Sequence, residues 1–401
     1  MYSSRLMICW AITLACSQCN PINDGGKIED VRRVDINVTE SGKDISLTKL
    51  IEDFYYVPLQ GLNYTSVVGK VIVRNHKIYV EDENRGLVTV YDLKGKELFR
   101  VDNHGDGPGE FNGIQAFTVD TKTDELLIYD RRYNLVKYTA NGEYVGSFKF
   151  KFALVDMAFF NGGRMMVFDG YSSRGHKETY YAINEIEIGV EGIRSSWMPY
   201  SEREQKSTYL ARSYFSSDGS DAILFTDQFS ASVYEFSIPS KDEPVGISTI
   251  YGLDFGKESL PKDQIISPSK DPVSLNKYYF LSGCSYKTDQ SIYFEIGKGT
   301  NRYRLWKGLK PGVPDMFKST FLLDNLFFNW TTGKIVGAYE GYFVMVNDGV
   351  SIYESIQFYR DYLNKYFPEK VGGFEDLLSQ QGLDEIDMNS EPVLTFFKFK
   401  E

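Results

Sequence analysis

The sequence contains few cysteines, histidines and prolines, and each shortage excludes a class of protein. Of the four cysteines, Cys9, Cys16 and Cys19 lie at the N-terminus, so the remainder of the chain keeps only Cys284. This excludes a disulfide framework and a cysteine-rich zinc site in the body. The three histidines never occur at i, i+4, so no histidine metal motif is present. With 13 prolines in 401 residues, the composition does not indicate a proline-rich disordered chain.

Basic blocks and long apolar runs are also missing. The formal net charge is −11, and an acidic chain without a Lys/Arg cluster repels a phosphate backbone, so we expect no nucleic-acid partner. The apolar run at residues 6–15 is too short to span a bilayer, which takes about 20 apolar residues.

Aromatic residues, in contrast, are abundant. They make up 15% of the chain, with 29 Tyr and 28 Phe, a composition typical of β-strands. From residue 53 onward, short runs of alternating apolar residues are separated by Gly, Asn and Asp, as in strands joined by hairpins. The sequence therefore predicts an all-β fold.

The N-terminus has the pattern of an export signal. Residues 1–15 carry Arg5 and then the apolar run, and the Leu-Ala-Cys at residues 14–16 resembles a bacterial lipobox, although Thr13 stands where an aliphatic residue is usual. This resemblance implies cleavage before Cys16 and a lipid on its thiol. An ordinary secretory leader and a buried N-terminal strand are the alternatives.

The N-terminal pattern also predicts a location. We expect residues 1–15 to be a signal peptide and residues 16–42, which are polar, to be a lipid-anchored tether. The protein is then an outer-membrane lipoprotein of the cell envelope, held at the membrane by its lipid. The side of the membrane that it faces stays open.

Pairs of strands repeat along the rest of the chain. Residues 77–96 and residues 125–143 each contain a strand ending in aspartate, a turn and a second strand, and the aspartates Asp82 and Asp130 are 48 residues apart. Looser copies of the first strand end in a carboxylate at four further positions: Asp169, Asp227, Glu295 and Asp348. Six such units predict a six-bladed β-propeller over residues 43–401. A seven-bladed ring, with a further blade in residues 195–215, is the alternative, and a sandwich can mimic the spacing.

Two features concern the end of the chain. Apolar residues at helical spacing predict a short helical insertion at about residues 353–385, and residues 393–400 then form a last strand. Neither this strand nor residues 54–59 has a partner nearby in sequence. We expect both in the last blade, because this closes the ring.

Several segments together resemble a known family. They are residues 45–47 leading to 55–59, the Gly-Asp-Gly-Pro-Gly-Glu-Phe loop at 105–111, the strand pairs ending in Asp82 and Asp130, and Glu-Pro-Val-Leu at 391–394. The chain is similar in these segments to six-bladed β-propeller lipoproteins of Bacteroidetes-type bacteria, which are related to NHL-repeat propellers. Glu391 departs from the pattern, since the family more often has Asn before the proline. The resemblance implies an envelope location and supplies no reaction.

The predicted binding residues lie in the loops that converge on one face of a propeller. They combine blade-end carboxylates, nearby arginines and one histidine: Asp82, Arg85, His104, Asp130, Arg131, Asp169, Arg174, Asp227, Glu295 and Arg302. One interpretation is a rim of mixed charge suited to a sugar or a small zwitterion. The alternative is that each aspartate caps its own hairpin and pairs with the arginines.

Catalytic motifs are not evident in the sequence. The glycines of residues 105–109 match neither a dinucleotide fingerprint nor a P-loop, so we interpret them as an inter-blade turn. His104 and His176 are possible general bases but are more typical of solvated loop histidines. We expect no catalytic residues, no metal ligands and no cofactor, with Ca²⁺ as the alternative if two or three carboxylates approach closely.

The sequence thus predicts an envelope-anchored binding or scaffold propeller. The expected partner is a glycan, a small polar ligand or an envelope protein of a nutrient-uptake system, and we expect a monomer. The alternative is a metal-assisted hydrolase or lyase, similar to propeller lactonases, that acts at the central channel.

Overall fold

The structure is a computed structural model of the chain. It describes residues 31–38, 50–61, 67–160, 163–171, 181–190, 192–200, 202–207, 211, 213–218, 222–238, 245–261, 276–313, 315–318 and 333–400.

Within these residues the strands form six sheets arranged as the blades of a β-propeller, as the sequence predicts. Blades one to three each have four antiparallel strands, and from the channel outward those of blade one are β3 (Val68–Arg74), β4 (Lys77–Asp82), β5 (Leu87–Asp92) and β6 (Glu97–Val101). In the same order, blade two consists of β7 (Ile114–Val119), β8 (Leu126–Asp130), β9 (Asn134–Tyr138) and β10 (Tyr144–Lys149). Blade three consists of β11 (Asp156–Phe160), β12 (Arg164–Phe168), β13 (Tyr181–Glu187) and β14 (Ser195–Pro199).

Blades four to six are less regular. Blade four has an additional outer strand, and blade five has an inner strand in two parts. From the channel outward, blade four consists of β15 (Phe215–Ser216), β16 (Ala222–Asp227), β17 (Ser232–Ser237), β18 (Gly246–Asp254) and the additional strand β1 (Arg32–Asn37). Blade five consists of the two-part inner strand β19 (Phe280–Leu281) and β20 (Tyr286–Lys287), followed by β21 (Ser291–Lys298), β22 (Asn301–Gly308) and β23 (Met316–Lys318). Blade six consists of β24 (Lys334–Tyr339), β25 (Tyr342–Asn347), β26 (Val393–Phe399) and β2 (Ile51–Pro58).

Helices are few in the described part of the chain. They are α1 (Glu202–Lys206), α2 (Gly349–Tyr366), α3 (Val371–Gln380) and the 3₁₀ turns Gly256–Glu258 and Pro368–Lys370. α2 and α3 form the helical insertion that the sequence predicts near the C-terminus. No helix in the described residues is long and apolar enough to cross a membrane.

The ring closes in blade six, as predicted. β26 pairs with β25 on one side and with β2 on the other, so one sheet contains strands from both ends of the chain. Pro58, at the end of β2, pairs with Val393 on the outer edge of the blade, where a missing N–H costs no ladder hydrogen bond.

The expectation for residues 16–42 is wrong in part. Residues 32–37 do not form a tether; they form β1, which pairs in parallel with β18 over six residues. Ile36 is buried by this pairing. The seven-bladed alternative is also wrong in the described residues, because Ser195–Pro199 is the outer strand of blade three and Phe215 begins blade four.

The hydrophobic core lies between neighbouring blades rather than at the axis. Blades one and two, for example, bury Tyr79, Val90, Phe117 and Ile128 completely between them. Burying a side chain of this size stabilises the fold by about 1.5–3 kcal/mol. The inner strands therefore keep fixed positions around the channel.

The two faces of the ring differ in their connections. On the front face, the second strand of each blade connects to the third, as at residues 83–86 between β4 and β5, and α2 and α3 belong to such a connection in blade six. On the back face, the inner strand turns into the second, as at residues 75–76.

Candidate functional site

A cavity of about 400 Å³ occupies the front end of the channel. Its walls are the first residues of the inner strands and the ends of the second strands. Seven charged side chains line it, and they come from blades one, two, three, five and six: Lys70, Glu81, Glu83, Arg131, Asp156, Glu295 and Lys334.

Two of these charges neutralise each other at the wall of the cavity. Lys70 Nζ lies 2.8 Å from Asp156 Oδ1, with the side chains 12% and 2% exposed. Asp156 also accepts hydrogen bonds from the backbone N–H groups of Met157, Tyr214 and Phe215, at 2.7–2.9 Å. Asp156 thus joins blades one, three and four, which makes it a structural residue of the channel.

Arg131 and Lys334 differ from Lys70, since neither forms an ion pair in the part of the chain that the structure describes. Both are exposed and border the cavity, Arg131 from blade two and Lys334 from blade six. Gly113 leaves room for Arg131, because a Cβ at this glycine would lie 3.3 Å from Arg131 Nε. Two cations are therefore available to a ligand.

Glu295 faces the same cavity from blade five. Its Oε1 accepts a hydrogen bond from the Ser282 hydroxyl at 3.3 Å. The sequence predicts that Glu295 ends its strand, and this prediction is wrong. β21 continues to Lys298 and turns at Gly299, so Glu295 lies within the strand and points inward instead of capping a hairpin.

The inner strand of blade five is interrupted beside Glu295. β19 ends at Leu281 and β20 begins at Tyr286, and Gly283 lies between them where a Cβ would be 2.8 Å from the Glu295 carboxyl carbon. Cys284, in the same interruption, borders the cavity. Burial, with a contribution from Asp156, raises the pKa of its thiol to about 12, so Cys284 is protonated at neutral pH and is a poor nucleophile.

Asp82 and Asp130 cap their own hairpins, which is the alternative that the sequence left open. Both are fully buried. Asp82 Oδ1 accepts from the N–H groups of Asn84 and Arg85. Asp130 accepts from four donors, including the Arg132 N–H at 2.8 Å. Their oxygens are therefore directed at the turns.

Asp169 and Asp227 have the same role in blades three and four. Asp169 Oδ1 accepts from the Tyr171 N–H at 2.9 Å. Asp227 Oδ1 accepts from the Phe229 N–H and from the Tyr171 hydroxyl. Burial raises the pKa of Asp227, and burial and the nearby Asp227 raise that of Tyr171. These two groups join blades three and four and lie outside the cavity.

The remaining predicted residues do not line the cavity. Arg85, His104 and Arg302 are exposed, and His104 lies against Phe111 at a ring distance of 5.4 Å. Arg174, like His176, lies outside the described residues. Of the ten predicted residues, the structure brings Arg131 and Glu295 to the cavity.

The Gly-rich loop at residues 105–109 binds a carboxylate of its own chain. The Gly107 N–H donates to Glu110 Oε2 at 2.7 Å, and a Cβ at Gly105 would lie 2.0 Å from the same oxygen. Asp106 pairs with Arg132 of the next blade, which lowers its pKa. The loop is an inter-blade connection, as the sequence interpretation held.

The back end of the channel is also lined by polar and charged side chains. The hairpins that join the inner strands to the second strands lie at this end, as at residues 75–76 and 340–341. Those hairpins surround a second opening of about 570 Å³, where the Tyr339 hydroxyl lies 3.4 Å from His76 Nδ1.

Among the described residues, metal ligands are not assembled at either end of the channel. In the described part of the chain, no group of three or more His, Cys, Asp or Glu residues is placed to hold a metal ion. A calcium site therefore has no ligand set among those residues.

Comparison with solved structures agrees with the propeller fold. A Bacteroides fragilis protein described as exported is 15% identical, with a TM-score of 0.70 over 92% of this chain and 100% of that one. A member of the duf4221 family from Bacteroides vulgatus is 10% identical, with a TM-score of 0.50 over 88% of this chain and 97% of that one. At these identities the similarity shows the fold alone.

Comparison with families places the chain more exactly. No curated protein matches it. One family covers residues 31–398, from the beginning of β1 to the last strand. The chain therefore belongs to the family described as Domain of unknown function (DUF4934).

Proposed function

We propose that the protein is an exported binding propeller that holds a small polar ligand or the end of a glycan in the front cavity. The observation that carries this proposal is the charge arrangement of the cavity. Lys70 and Asp156 satisfy each other, whereas Arg131 and Lys334 have no ion-pair partner among the described residues. Cations that face a cavity in this way favour a ligand that supplies anionic or hydroxyl oxygens.

The ring geometry suggests the ligand's charge pattern. Arg131 belongs to blade two and Glu295 to blade five, which are opposite in a ring of six. A ligand that spans the cavity meets a cation on one side and a carboxylate on the other. Zwitterions, amino sugars and dipeptides match this arrangement, and sugars match it through hydroxyl groups.

Binding is favoured over thiol-based catalysis by the state of Cys284, the one cysteine among the described residues that line the cavity. Its thiol has a raised pKa, and no histidine stands among those lining residues. Acyl or thiol chemistry needs a base within hydrogen-bond reach of the nucleophile. A purified protein that carries one bound metal per chain and turns over a lactone would replace this proposal with the hydrolase alternative.

We further propose that the propeller is an outer-membrane lipoprotein anchored through Cys16. The export pattern of residues 1–15 supports this anchor. The structurally similar protein from Bacteroides fragilis is itself described as exported, which agrees with export of this chain. Mass spectrometry of protein from native membranes should find a mature N-terminus at Cys16 that carries lipid. An unmodified N-terminus elsewhere contradicts the anchor and leaves the cavity proposal untouched.

The cavity proposal is tested by charge changes at its wall. The probes are a neutral disaccharide, an amino sugar and a dipeptide, measured by calorimetry on the purified protein. For any probe that binds, Arg131→Glu and Lys334→Glu should weaken binding by about 1–3 kcal/mol each, since each removes a charge-assisted hydrogen bond.

The matched control is Arg302→Glu, because Arg302 is exposed but does not line the cavity. This variant should bind like the wild type, and all three should keep the wild-type melting temperature. Equal losses in all three variants would show that binding follows overall charge, which contradicts the proposed cavity.

A further inference from the structure

Helix α2 has an apolar face that the propeller does not cover. Ile352, Ile356 and Leu363 are buried on its inner side. On another side, Phe358, Tyr362 and Tyr366 recur at every fourth residue, which places them in one stripe.

This stripe is unusually exposed for aromatic side chains. Phe358, Tyr362 and Tyr366 are 70%, 42% and 55% exposed. The rings of Tyr362 and Tyr366 are 5.1 Å apart, and Phe367 extends the patch at 5.9 Å from Tyr362. The rings surround a shallow concavity of about 500 Å³. A continuous aromatic surface of this kind marks an interaction site.

Two opposite charges border the concavity. Asp361 and Lys365 lie one helical turn apart and line it together with the rings. Within residues 333–400 neither forms an ion pair, and Lys365 Nζ lies 5.0 Å above the ring of Tyr366. The patch therefore presents a carboxylate and an ammonium group of its own, with no net charge between them.

We propose that the occupant of this patch, defined as residues Phe358, Asp361, Tyr362, Lys365 and Tyr366, is the same patch of a second copy of the chain. A twofold contact buries the same surface patch on both copies, and when the axis is perpendicular to a helix the two copies of that helix are antiparallel. With two α2 helices antiparallel and Tyr362 at the axis, Phe358 lies opposite Tyr366 of the second copy. Asp361 then lies close to the level of Lys365 of the second copy.

The sequence pattern is thus complementary to its own reverse. Aromatic residues stand four positions on either side of Tyr362. The same twofold operation brings Asp361 to within two residues, or about 3 Å along the helix, of the level of Lys365 of the second copy. An anionic membrane or an acidic peptide would use the rings but would leave Asp361 without a partner. For this reason the second copy is the occupant that fits, and the proposal replaces our expectation of a monomer.

The contact is small. The stripe from Phe358 to Tyr366 covers two helical turns, or about 12 Å. A standard interface buries about 1,600 Å², so a single pair of helices should give a weak dimer that dissociates on dilution.

The experiment is sedimentation equilibrium on the mature chain, residues 16–401, with Cys16→Ser so that no lipid is attached. The wild type should show a reversible monomer–dimer equilibrium. Asp361→Lys and Lys365→Asp should each weaken self-association at least tenfold, because each places like charges opposite each other.

Recombining the charges distinguishes an ion pair from general damage. The double variant Asp361→Lys with Lys365→Asp should dimerise like the wild type, and an equimolar mixture of the two single variants should form a heterodimer. Asp376→Lys on α3, exposed and outside the patch, is the control and should dimerise normally.

A wild type that stays monomeric at the highest attainable concentration overturns the proposal, as does normal self-association of both single variants. Binding of a monomer to phosphatidylcholine vesicles that is lost in Phe358→Ser would also overturn it and would identify a membrane surface as the occupant.

Discussion

Replacing Asp156 by alanine should be among the most damaging single changes in the channel. The carboxylate is almost completely buried and holds Lys70 at 2.8 Å together with three backbone N–H groups from blades three and four. Asp156→Ala leaves the Lys70 ammonium without its partner and these N–H groups without an acceptor.

The expected magnitude follows from this geometry. Removing one partner of a buried ion pair costs about 3–5 kcal/mol, because the other charge is left uncompensated. Lys70→Met should cost less, since Asp156 keeps its three N–H donors, each worth about 1.5–3 kcal/mol to a charged acceptor. The double variant should cost less than the sum of the two single changes.

Urea unfolding followed by circular dichroism measures these free energies. Asp35→Ala, which breaks the solvent-exposed Arg33–Asp35 pair, is the control and should have little effect. The reasoning is refuted if Asp156→Ala costs less than about 1 kcal/mol, or if Lys70→Met is the more destabilising of the two.

Two further predictions concern Asp227 and Gly95. Burial raises the pKa of Asp227 in the folded protein, so folding favours the protonated carboxyl. The stability that this preference contributes is complete below the unfolded pKa of about 3.9, and it is lost as the pH rises through the folded pKa. Asp227→Asn can still accept the hydrogen bond from the Tyr171 hydroxyl, and it should therefore gain stability relative to the wild type as the pH is raised from acid to neutral. A difference in unfolding free energy between the two proteins that stays constant with pH would contradict this. Gly95 has a φ of +80°, and a Cβ there would lie 1.9 Å from the Pro58 carbonyl oxygen. Gly95→Ala should lower the free energy of unfolding by more than backbone strain alone, which is worth about 1–3 kcal/mol. Gly189→Ala is the control, because Gly189 has a φ of +82° but open space around it, and it should lose only the strain energy. Equal melting temperatures for the two variants would show that the Pro58 carbonyl moves away from the new methyl group at little cost.

The features that the sequence predicts correctly are local. Asp82 and Asp130 precede turns whose N–H groups they cap within four residues, and this chemistry repeats wherever the same turn repeats. For this reason the repeat, and with it the six-bladed fold, can be read from the chain. The closure of blade six was predictable because strands 54–59 and 393–400 had no neighbour in sequence.

The features that the sequence does not reveal depend on distant partners. Lys70 and Asp156 are 86 residues apart, and nothing near either residue indicates the pair. Lys334 gives no signal either, because a lysine at the beginning of a strand is ordinary. Glu295 lines the cavity, but it does not end its strand as the sequence predicts, since Gly297 interrupts the apolar pattern and makes the strand look shorter.

β1 has a mechanical consequence. Residues 1–30 precede it, and a pull transmitted through them acts along the strand, parallel to β18. The load is then a shear across the six paired residues and the bond from the Val38 N–H to the Asp254 carbonyl, so these bonds share the force and must fail together. A strand peeled from its end would instead lose them one at a time. A load applied to the N-terminal segment would therefore reach blade four before it reaches the closure in blade six.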